Sequence, residues 1–279
     1  MMLGFHVSIA GSIDQAVDRA VDLGINTFQI FTTNPRTWYS KPLNSPEVYL
    51  FKKKIRKSSI NPIFSHMPYL SNLASPRNDV YNLSIKLLTM ELKRCCRLGV
   101  PFLVTHIGSH LGAGKKLGFN RIVKGIDKAL LDAGVDVMLL LENTAGMGNS
   151  MGSSFEDVKK IIDGVYSDEL VGFCFDTCHA FAAGYDLRCK DAVEHTLTVL
   201  DSVVGLKKLK LVHLNDSANR LSSFLDRHEH IGLGEIGDEG FSAILHSEFC
   251  SYPMIMETPI DERRGNFENL MKVHSLVGR

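Results

Sequence analysis

Six short apolar runs of this sequence each end at a residue type that binds metal ions. Successive end residues are 34 to 44 positions apart, and they are His66, His106, Glu142, Asp176, His213 and Glu257. Zinc and similar ions take imidazole nitrogen and carboxylate oxygen in proteins. A single histidine or acid after a strand is usually a loop residue or a helix cap. Six such residues in succession, however, indicate a metal site.

Three more candidate ligands lie in local motifs. His179 follows Asp176 by three residues in DTCH, so both side chains can face one way where a strand turns into a helix. Asp226 and His228 are two residues apart in DRH and lie on the same side of an extended segment. Nine donors exceed the needs of one tetrahedral ion and suit two or three.

The charge of such a site predicts what it attracts. Four carboxylates contribute about −4 and three divalent ions about +6, so the loaded site would be positive by roughly two charges. A phosphodiester fits this field, because multi-metal sites commonly clamp the attacking and leaving oxygens of a phosphate displacement. The whole chain is neutral, with 31 basic and 31 acidic residues. Neutrality alone counts against a nucleic-acid partner, but acids that bind metal distort that balance.

The spacing of the candidate ligands is the length of one strand, one helix and two loops. Two earlier apolar runs, around His6 and at 27–31, raise the number of strands to eight. We therefore predict an α/β fold, a single (βα)8 TIM barrel that spans 1–279 as one domain, with its active site at the C-terminal ends of the strands. Long polar loops follow the strands and short loops follow the helices, which is typical of a barrel with one working face.

Capping residues and glycines predict several helix boundaries. The predictions are an N-cap at Ser12, a helix over 78–98 that ends at Gly99, a helix over 120–133 that ends at Gly134, and an N-cap at Ser153 or Ser154.

Composition excludes several classes of protein. No segment approaches the ~20 apolar residues of a membrane span, and the N-terminus lacks a signal-type pattern. The six cysteines form no CxxC pair, which favours reduced thiols over a disulfide framework or a thiolate zinc site. We expect a soluble intracellular protein with no membrane partner, located by default in the cytoplasm or at the nucleoid.

Several long motifs resemble those of the endonuclease IV family, the zinc-dependent apurinic/apyrimidinic (AP) endonucleases. They include GFHVSIAGS, SHMPYL, THIGSHLGAG, FDTCHAFAAGYD and DRHEHIGLGEIG, and the resemblance runs from about residue 4 to 275. It implies three zinc ions, with Glu142 bridging two of them. One ion would also take Asp176, His213 and Glu257, the second His66 and His106, and the third His179, Asp226 and His228. The resemblance selects His228 over His230, which spacing alone leaves open.

The resemblance also implies a reaction. A hydroxide held between two zinc ions would attack the phosphodiester bond 5′ to an abasic site in duplex DNA, leaving a 3′-hydroxyl and a 5′-deoxyribose phosphate. Glu142 and Glu257 would hold and orient this hydroxide as the catalytic carboxylates. Removal of 3′-blocking groups would use the same metal chemistry. These activities belong to base excision repair of DNA damage, with abasic duplex DNA as the partner of a monomeric enzyme.

Candidate DNA contacts follow from the same resemblance. Trp38 is interpreted as structural packing. Basic residues at 52–57 and at Lys115, Lys116 and Arg121 either form solvated helix faces or contact DNA phosphates. Departures from the family pattern lie at Thr33, Thr37, Ile107 and Ala218, and none removes a metal ligand.

Two other hypotheses remain open. A metal-dependent sugar isomerase or epimerase of the same barrel superfamily would also place Glu, Asp and His at strand ends, but it would not require His179, Asp226 and His228. A non-catalytic barrel that binds DNA damage would not require an intact set of nine ligands.

Overall fold

Eight parallel strands close into a barrel in the computed structural model of the chain, which describes residues 1–39 and 41–278. Each strand pairs with its neighbour in the chain, and the last pairs with the first. The barrel strands are β1 (Leu3–His6), β2 (Thr27–Ile30), β3 (Ile63–His66), β4 (Phe102–His106), β5 (Met138–Glu142), β6 (Val171–Asp176), β7 (Leu209–His213) and β10 (Met254–Met256). A short antiparallel pair, β8 (Asp216–Ser217) and β9 (His228–Glu229), lies outside the barrel. The predicted (βα)8 barrel is confirmed.

Helices connect the strands along the outside of the barrel. They are α1 (Gln15–Asp22), α2 (Ser45–Lys57), α3 (Asn78–Leu98), α4 (Lys115–Ala133), α5 (Phe155–Gly164), α6 (Thr177–Ala183), α7 (Lys190–Val203), α8 (Gly237–Leu245) and α9 (Asn266–Val277). None of the helices within the described part of the chain is long and apolar enough to cross a membrane.

The predicted helix ends are correct where a glycine stops the helix. Gly99 and Gly134 follow α3 and α4 with φ of 76° and 60°, the left-handed conformation that glycine adopts without a Cβ clash. Ser154 is the N-cap of α5 and accepts a hydrogen bond from the backbone N–H of Asp157 at 3.2 Å.

Two predicted helix starts were wrong. Ser12 does not cap α1, because the helix begins at Gln15 and the Ser12 hydroxyl instead donates to Asp14 Oδ1 at 2.6 Å. Helix α4 begins at Lys115, five residues before the predicted start at 120, so the glycine-rich loop after β4 is shorter than expected.

The barrel interior is filled by a separate apolar layer. Six buried side chains form it, one from each of six strands, namely Phe64, Val104, Leu140, Cys174, Leu211 and Ile255. Their neighbours along the strands, such as Leu139 and Leu141, belong to the larger core between the strands and the helices. Side chains alternate across a strand, so this pattern separates inward-facing from outward-facing residues.

Truncation inside the barrel should be costly, and Leu140→Ala tests this. Leu140 is completely buried, so the change removes apolar burial and leaves a cavity in the floor of the barrel. We expect the free energy of unfolding to fall by about 2–5 kcal/mol in urea denaturation. Leu131→Ala is the matched control, because Leu131 is 83% exposed. Equal stability of the two variants would contradict an interior packed at this position.

Candidate metal centre

The candidate ligands form a polar layer directly above the apolar interior. Each strand-end ligand stands two residues beyond a side chain of the inner layer, as Glu142 does beyond Leu140 and His213 beyond Leu211. Alternation along a strand then points both members of a pair into the barrel. The same relation holds for His66, His106, Asp176 and Glu257.

Nine side chains predicted from the sequence come together in three groups, while a fourth group of possible ligands joins Asp176 and His228 to Cys178. Within each group the potential ligand atoms lie within 4.8 Å of one another. The three groups are His66 with His106 and Glu142, then Glu142 with Asp176, His213 and Glu257, and finally His179 with Asp226 and His228. We call them the two-histidine group, the four-residue group and the loop group. Each could hold a metal ion, and Glu142 belongs to two of them.

Glu142 is buried at the centre of the site. Its Oε2 lies 3.1 Å from His66 Nε2 and 3.2 Å from His106 Nε2. Its Oε1 lies 3.1 Å from His213 Nδ1 and 3.3 Å from His179 Nδ1. Burial by itself would raise the pKa of Glu142, but the imidazoles of His106 and His213 hold that pKa well below its usual range. The carboxylate is therefore charged and presents one oxygen to each neighbouring group.

Crowding of like charges indicates a cation in the four-residue group. Glu142, Asp176 and Glu257 bring carboxylate oxygens within 4.8 Å of one another. Two like charges about 4 Å apart repel by about 4 kcal/mol at an effective dielectric constant near 20. A divalent ion reverses the sign of this interaction, so the residues present fit a metal ion.

Nitrogen atoms without a hydrogen-bond partner indicate that the loop group also fits a metal ion. Nε2 of His179 and Nε2 of His228 are buried without a hydrogen-bond partner among the described residues. They lie 3.2 and 3.5 Å from Asp226 Oδ1, but not in hydrogen-bond geometry. The Nδ1 atoms face the backbone oxygens of Asn143 and Glu257 at 3.0 and 3.2 Å. Since carbonyl oxygens only accept, Nδ1 carries a proton, and in the neutral imidazole the lone pair that can bind a metal therefore lies on Nε2.

The loop group depends on a buried aspartate that the sequence analysis did not single out. Asp216 is fully buried, and its carboxylate accepts hydrogen bonds at 2.8–3.0 Å from the backbone N–H groups of Ser217, Gly232, Gly234 and Ile236. Strand β8 also pairs Ser217 with His228. Asp216 therefore anchors both ends of the segment that carries Asp226 and His228.

Two asparagines that the sequence analysis also missed orient Asp176 and Glu257. Asn215 Nδ2 donates to Asp176 Oδ2 at 2.7 Å, and Asn215 Oδ1 accepts from the Glu257 N–H at 2.8 Å. Asn143 Oδ1 accepts from the Asp176 N–H at 2.8 Å. Each asparagine lies one or two residues after a ligand, in LEN and HLN, which is the signal that could have identified them.

Comparison with known proteins decides the family. The profile of the xylose isomerase-like TIM barrel family matches residues 17–274. A Methanoculleus marisnigri protein named "Probable endonuclease 4" is 52% identical over 280 residues, covering 100% of this chain and 99% of the relative. The crystal structure of endonuclease IV from Thermus thermophilus superposes with a TM-score of 0.87 at 35% identity, covering 100% of this chain and 98% of that one.

The chain belongs to the endonuclease IV family. A D-tagatose 3-epimerase-like protein, 16% identical, superposes with a TM-score of 0.74 over 100% of this chain and 96% of that one. At that identity the likeness shows a shared fold alone.

Two of the three candidate DNA contacts lie at the mouth of the barrel. Tyr69 is 64% exposed, and its ring centroid lies 6.0 and 6.1 Å from those of His66 and His106. Desolvation and the nearby carboxylates raise the pKa of Tyr69 to about 12, which keeps the phenol neutral. His6 is half-buried, with Nδ1 3.2 Å from Glu257 Oε1.

The third candidate, Arg36, is exposed on the loop between β2 and α2. Ser40 of this loop lies outside the described residues. Trp38, in the same loop, packs against the core, as interpreted from the sequence.

The other basic residues considered for DNA contact differ in their partners within the protein. Lys54 binds Asp18 of α1 and Asp14, the residue before that helix, which favours a solvated helix face for α2. Arg121 stacks on the ring of Tyr81 at 3.9 Å. Lys115 pairs with Asp157 at 3.2 Å, and Lys116 is exposed.

Asp216→Asn tests the anchor of the loop group. The amide loses one acceptor oxygen and the negative charge, so the segment with Asp226 and His228 should loosen while the barrel stays folded. We expect about one divalent ion fewer per chain than in the parent protein, measured by elemental analysis, with an unchanged far-ultraviolet spectrum. Asp201→Asn is the control, because Asp201 also accepts a backbone N–H, from Leu206 at 2.9 Å, but is exposed. An unchanged number of ions per chain in Asp216→Asn would show that Asp216 does not anchor the loop group.

Proposed function

We propose that this protein is a DNA repair hydrolase that cleaves the phosphodiester bond 5′ to abasic sites in duplex DNA. The products would be a 3′-hydroxyl and a 5′-deoxyribose phosphate, and the same site would remove 3′-blocking groups. The observation that carries this proposal is the presence of the loop group beside the other two, with all nine candidate ligands intact. The 52% identity to a relative named as an endonuclease supports it. Residues 1–279 would act as one domain and as a monomer.

We further propose that the three groups hold three zinc ions. His66, His106 and Glu142 would hold one, Glu142 with Asp176, His213 and Glu257 a second, and His179, Asp226 and His228 the third. When bound, such ions stabilise charge that develops on a phosphate and lower the pKa of coordinated water towards neutrality.

Glu257 is suited to handle a proton of the attacking water. It is 17% exposed, whereas Glu142 and Asp176 are completely buried, so Glu257 faces the opening of the barrel. Burial would raise its pKa, but the charge of His213 and a hydrogen bond from His6 hold that pKa well below the usual range. The carboxylate is therefore available as an acceptor. Glu142, which is completely buried, would instead fix the two-histidine group and the four-residue group relative to each other.

Recognition of an abasic site would use the mouth of the barrel. Loss of a base leaves a gap in the stack, so the abasic sugar leaves the duplex at low cost. Tyr69 offers an exposed aromatic face next to His66 and His106. Arg36, on its exposed loop, would enter the gap, and His6 would contact the displaced nucleotide.

A sugar isomerase or epimerase is the runner-up hypothesis. The four-residue group alone would suit one divalent ion and a polyol substrate. The loop group counts against this alternative, because a one-ion sugar enzyme has no use for His179, Asp226 and His228 placed together.

Incision of a defined substrate tests the proposed activity. A duplex oligonucleotide with one tetrahydrofuran abasic-site analogue cannot be cut by β-elimination, because the analogue lacks an aldehyde. We expect cleavage on the 5′ side of the analogue, leaving a 3′-hydroxyl, and we expect prolonged chelation to abolish it. The undamaged duplex is the control. A folded, zinc-loaded sample that leaves the analogue intact would contradict the proposal and direct attention to ketose and aldose substrates.

Glu257→Gln separates chemistry from binding. The amide keeps the shape of the side chain but loses the charge that would bind the metal ion and take a proton, so the incision rate should fall by about 10²–10⁴-fold. The Kd for the abasic duplex, measured by fluorescence anisotropy, should change little. Glu262→Gln, an exposed position five residues further along, serves as the matched control. Full incision activity in Glu257→Gln would exclude this residue from the mechanism.

A further inference from the structure

Each barrel strand contributes one inward-facing polar side chain to the layer above the apolar interior. The eight residues are His6, Gln29, His66, His106, Glu142, Asp176, His213 and Glu257. Gln29 differs from the other seven, which are all histidine, aspartate or glutamate. It is completely buried in the middle of the otherwise apolar run TFQIF. A buried amide is costly unless its hydrogen bonds are satisfied, so its partners indicate its role.

Gln29 joins two members of the four-residue group. Its Nε2 donates to Glu257 Oε1 at 2.7 Å and lies 3.0 Å from His6 Nδ1. Its Oε1 lies 2.9 Å from Nε2 of His213. The amide therefore spans from the half-buried carboxylate to a fully buried imidazole.

The chemistry of the partners fixes the direction of these hydrogen bonds. The Glu257 carboxylate can only accept, so the amide NH2 must face it. A flipped amide would place its oxygen against the carboxylate. The amide oxygen therefore faces His213, and an oxygen that only accepts requires a proton on His213 Nε2.

His213 would bind a metal ion as the neutral imidazole, and a proton on Nε2 then leaves the lone pair on Nδ1. This is the nitrogen that faces the carboxylates, at 3.1 Å from Glu142 Oε1, 3.5 Å from Glu257 Oε2 and 3.8 Å from Asp176 Oδ2. Gln29 thus selects the form of His213 whose unprotonated nitrogen points at the three carboxylates of the four-residue group. The same amide restrains one oxygen of Glu257 and leaves Oε2 for the group.

We propose that Gln29 is a positioning residue that holds His213 in its Nδ1-ligating form and orients Glu257 for the metal ion of the four-residue group. This inference rests on the proposed metal-dependent function. Outer partners of metal ligands fix the tautomer and the ring orientation, and their loss typically reduces metal affinity or activity about 10–100-fold. Gln29 acts through His213 and Glu257 and touches neither the substrate nor the reacting atoms.

Two substitutions of similar shape test this role. Gln29→Met fills the same space without hydrogen bonds, and Gln29→Glu keeps the outline but removes the donor facing Glu257. Gln15 is the only other glutamine of the chain and is exposed, so Gln15→Met and Gln15→Glu are matched controls. Circular dichroism and thermal melting first establish that each variant is folded.

Zinc binding and histidine spectra are the primary measurements. Titration with a competing chelator should show one zinc ion per chain bound about 10–100-fold more weakly in both Gln29 variants, with the remaining ions unaffected. In zinc-loaded protein with ¹⁵N-labelled histidine, His213 should carry its proton on Nε2 in the parent. In Gln29→Met that single form should be lost. Parental zinc affinity and an unchanged His213 spectrum in a folded Gln29→Met protein would overturn the proposal. If only Gln29→Glu folds, the zinc titration on it decides the question, because its carboxylate still accepts from His213 Nε2, and parental zinc affinity would then overturn the proposal.

Incision kinetics distinguish this inference from the proposed function. On the tetrahydrofuran duplex, kcat should fall about 10–100-fold in Gln29→Met while KM stays within about twofold, because the DNA surface is untouched. A parent protein that binds zinc without cutting this duplex would overturn the proposed function, while the zinc and histidine measurements would still test Gln29. An equal loss in the Gln15 controls would show a general effect of substitution and would overturn the assignment.

Discussion

The site depends on one buried charge, the carboxylate of Glu142. Its two oxygens lie within 3.3 Å of four imidazoles that come from β3, β4, β7 and helix α6. A buried carboxylate is tolerable only where hydrogen-bond donors, cations or a metal ion surround it. The barrel supplies them by bringing the C-terminal ends of its strands to one place. Every other feature of the site, from the inner apolar layer to the outer loops, serves to hold groups around this carboxylate.

Two sets of residues hold the candidate ligands in place, namely the apolar layer inside the barrel and the hydrogen-bonding groups next to the ligands. Leu140, Leu211 and the rest of the inner layer form a packed floor that prevents the strand ends from collapsing inward. Beside the ligands, neutral amides and backbone groups set orientation, as Asn215 does for Asp176 and Gln29 for His213. Such partners decide which atom of a ligand faces the metal position, and so they matter as much as the ligand type.

The net charge of zero hides an uneven distribution of charge along the chain. The 31 basic and 31 acidic residues cancel overall, yet four of the acids lie within the candidate metal groups. Ions bound there would create a local positive field that net charge does not reveal. Membership of the endonuclease IV family agrees with such a site. The exposed Tyr69 and Arg36 lie on loops that follow β3 and β2, where substitutions leave the barrel undisturbed.

The sequence by itself determined the strands, the barrel and the nine candidate ligands, because these depend on short-range patterns. An apolar run that ends at His106 or Glu142 predicts a strand and the direction in which the last side chain of that strand points. Tertiary structure alone decided the contacts of Gln29 and Asp216 and the true starts of α1 and α4. Gln29 meets Glu257 across 228 residues and His213 across 184, and no local pattern encodes a hydrogen bond over such a distance. Closure of the barrel creates those contacts, since it makes the first strand and the last into neighbours.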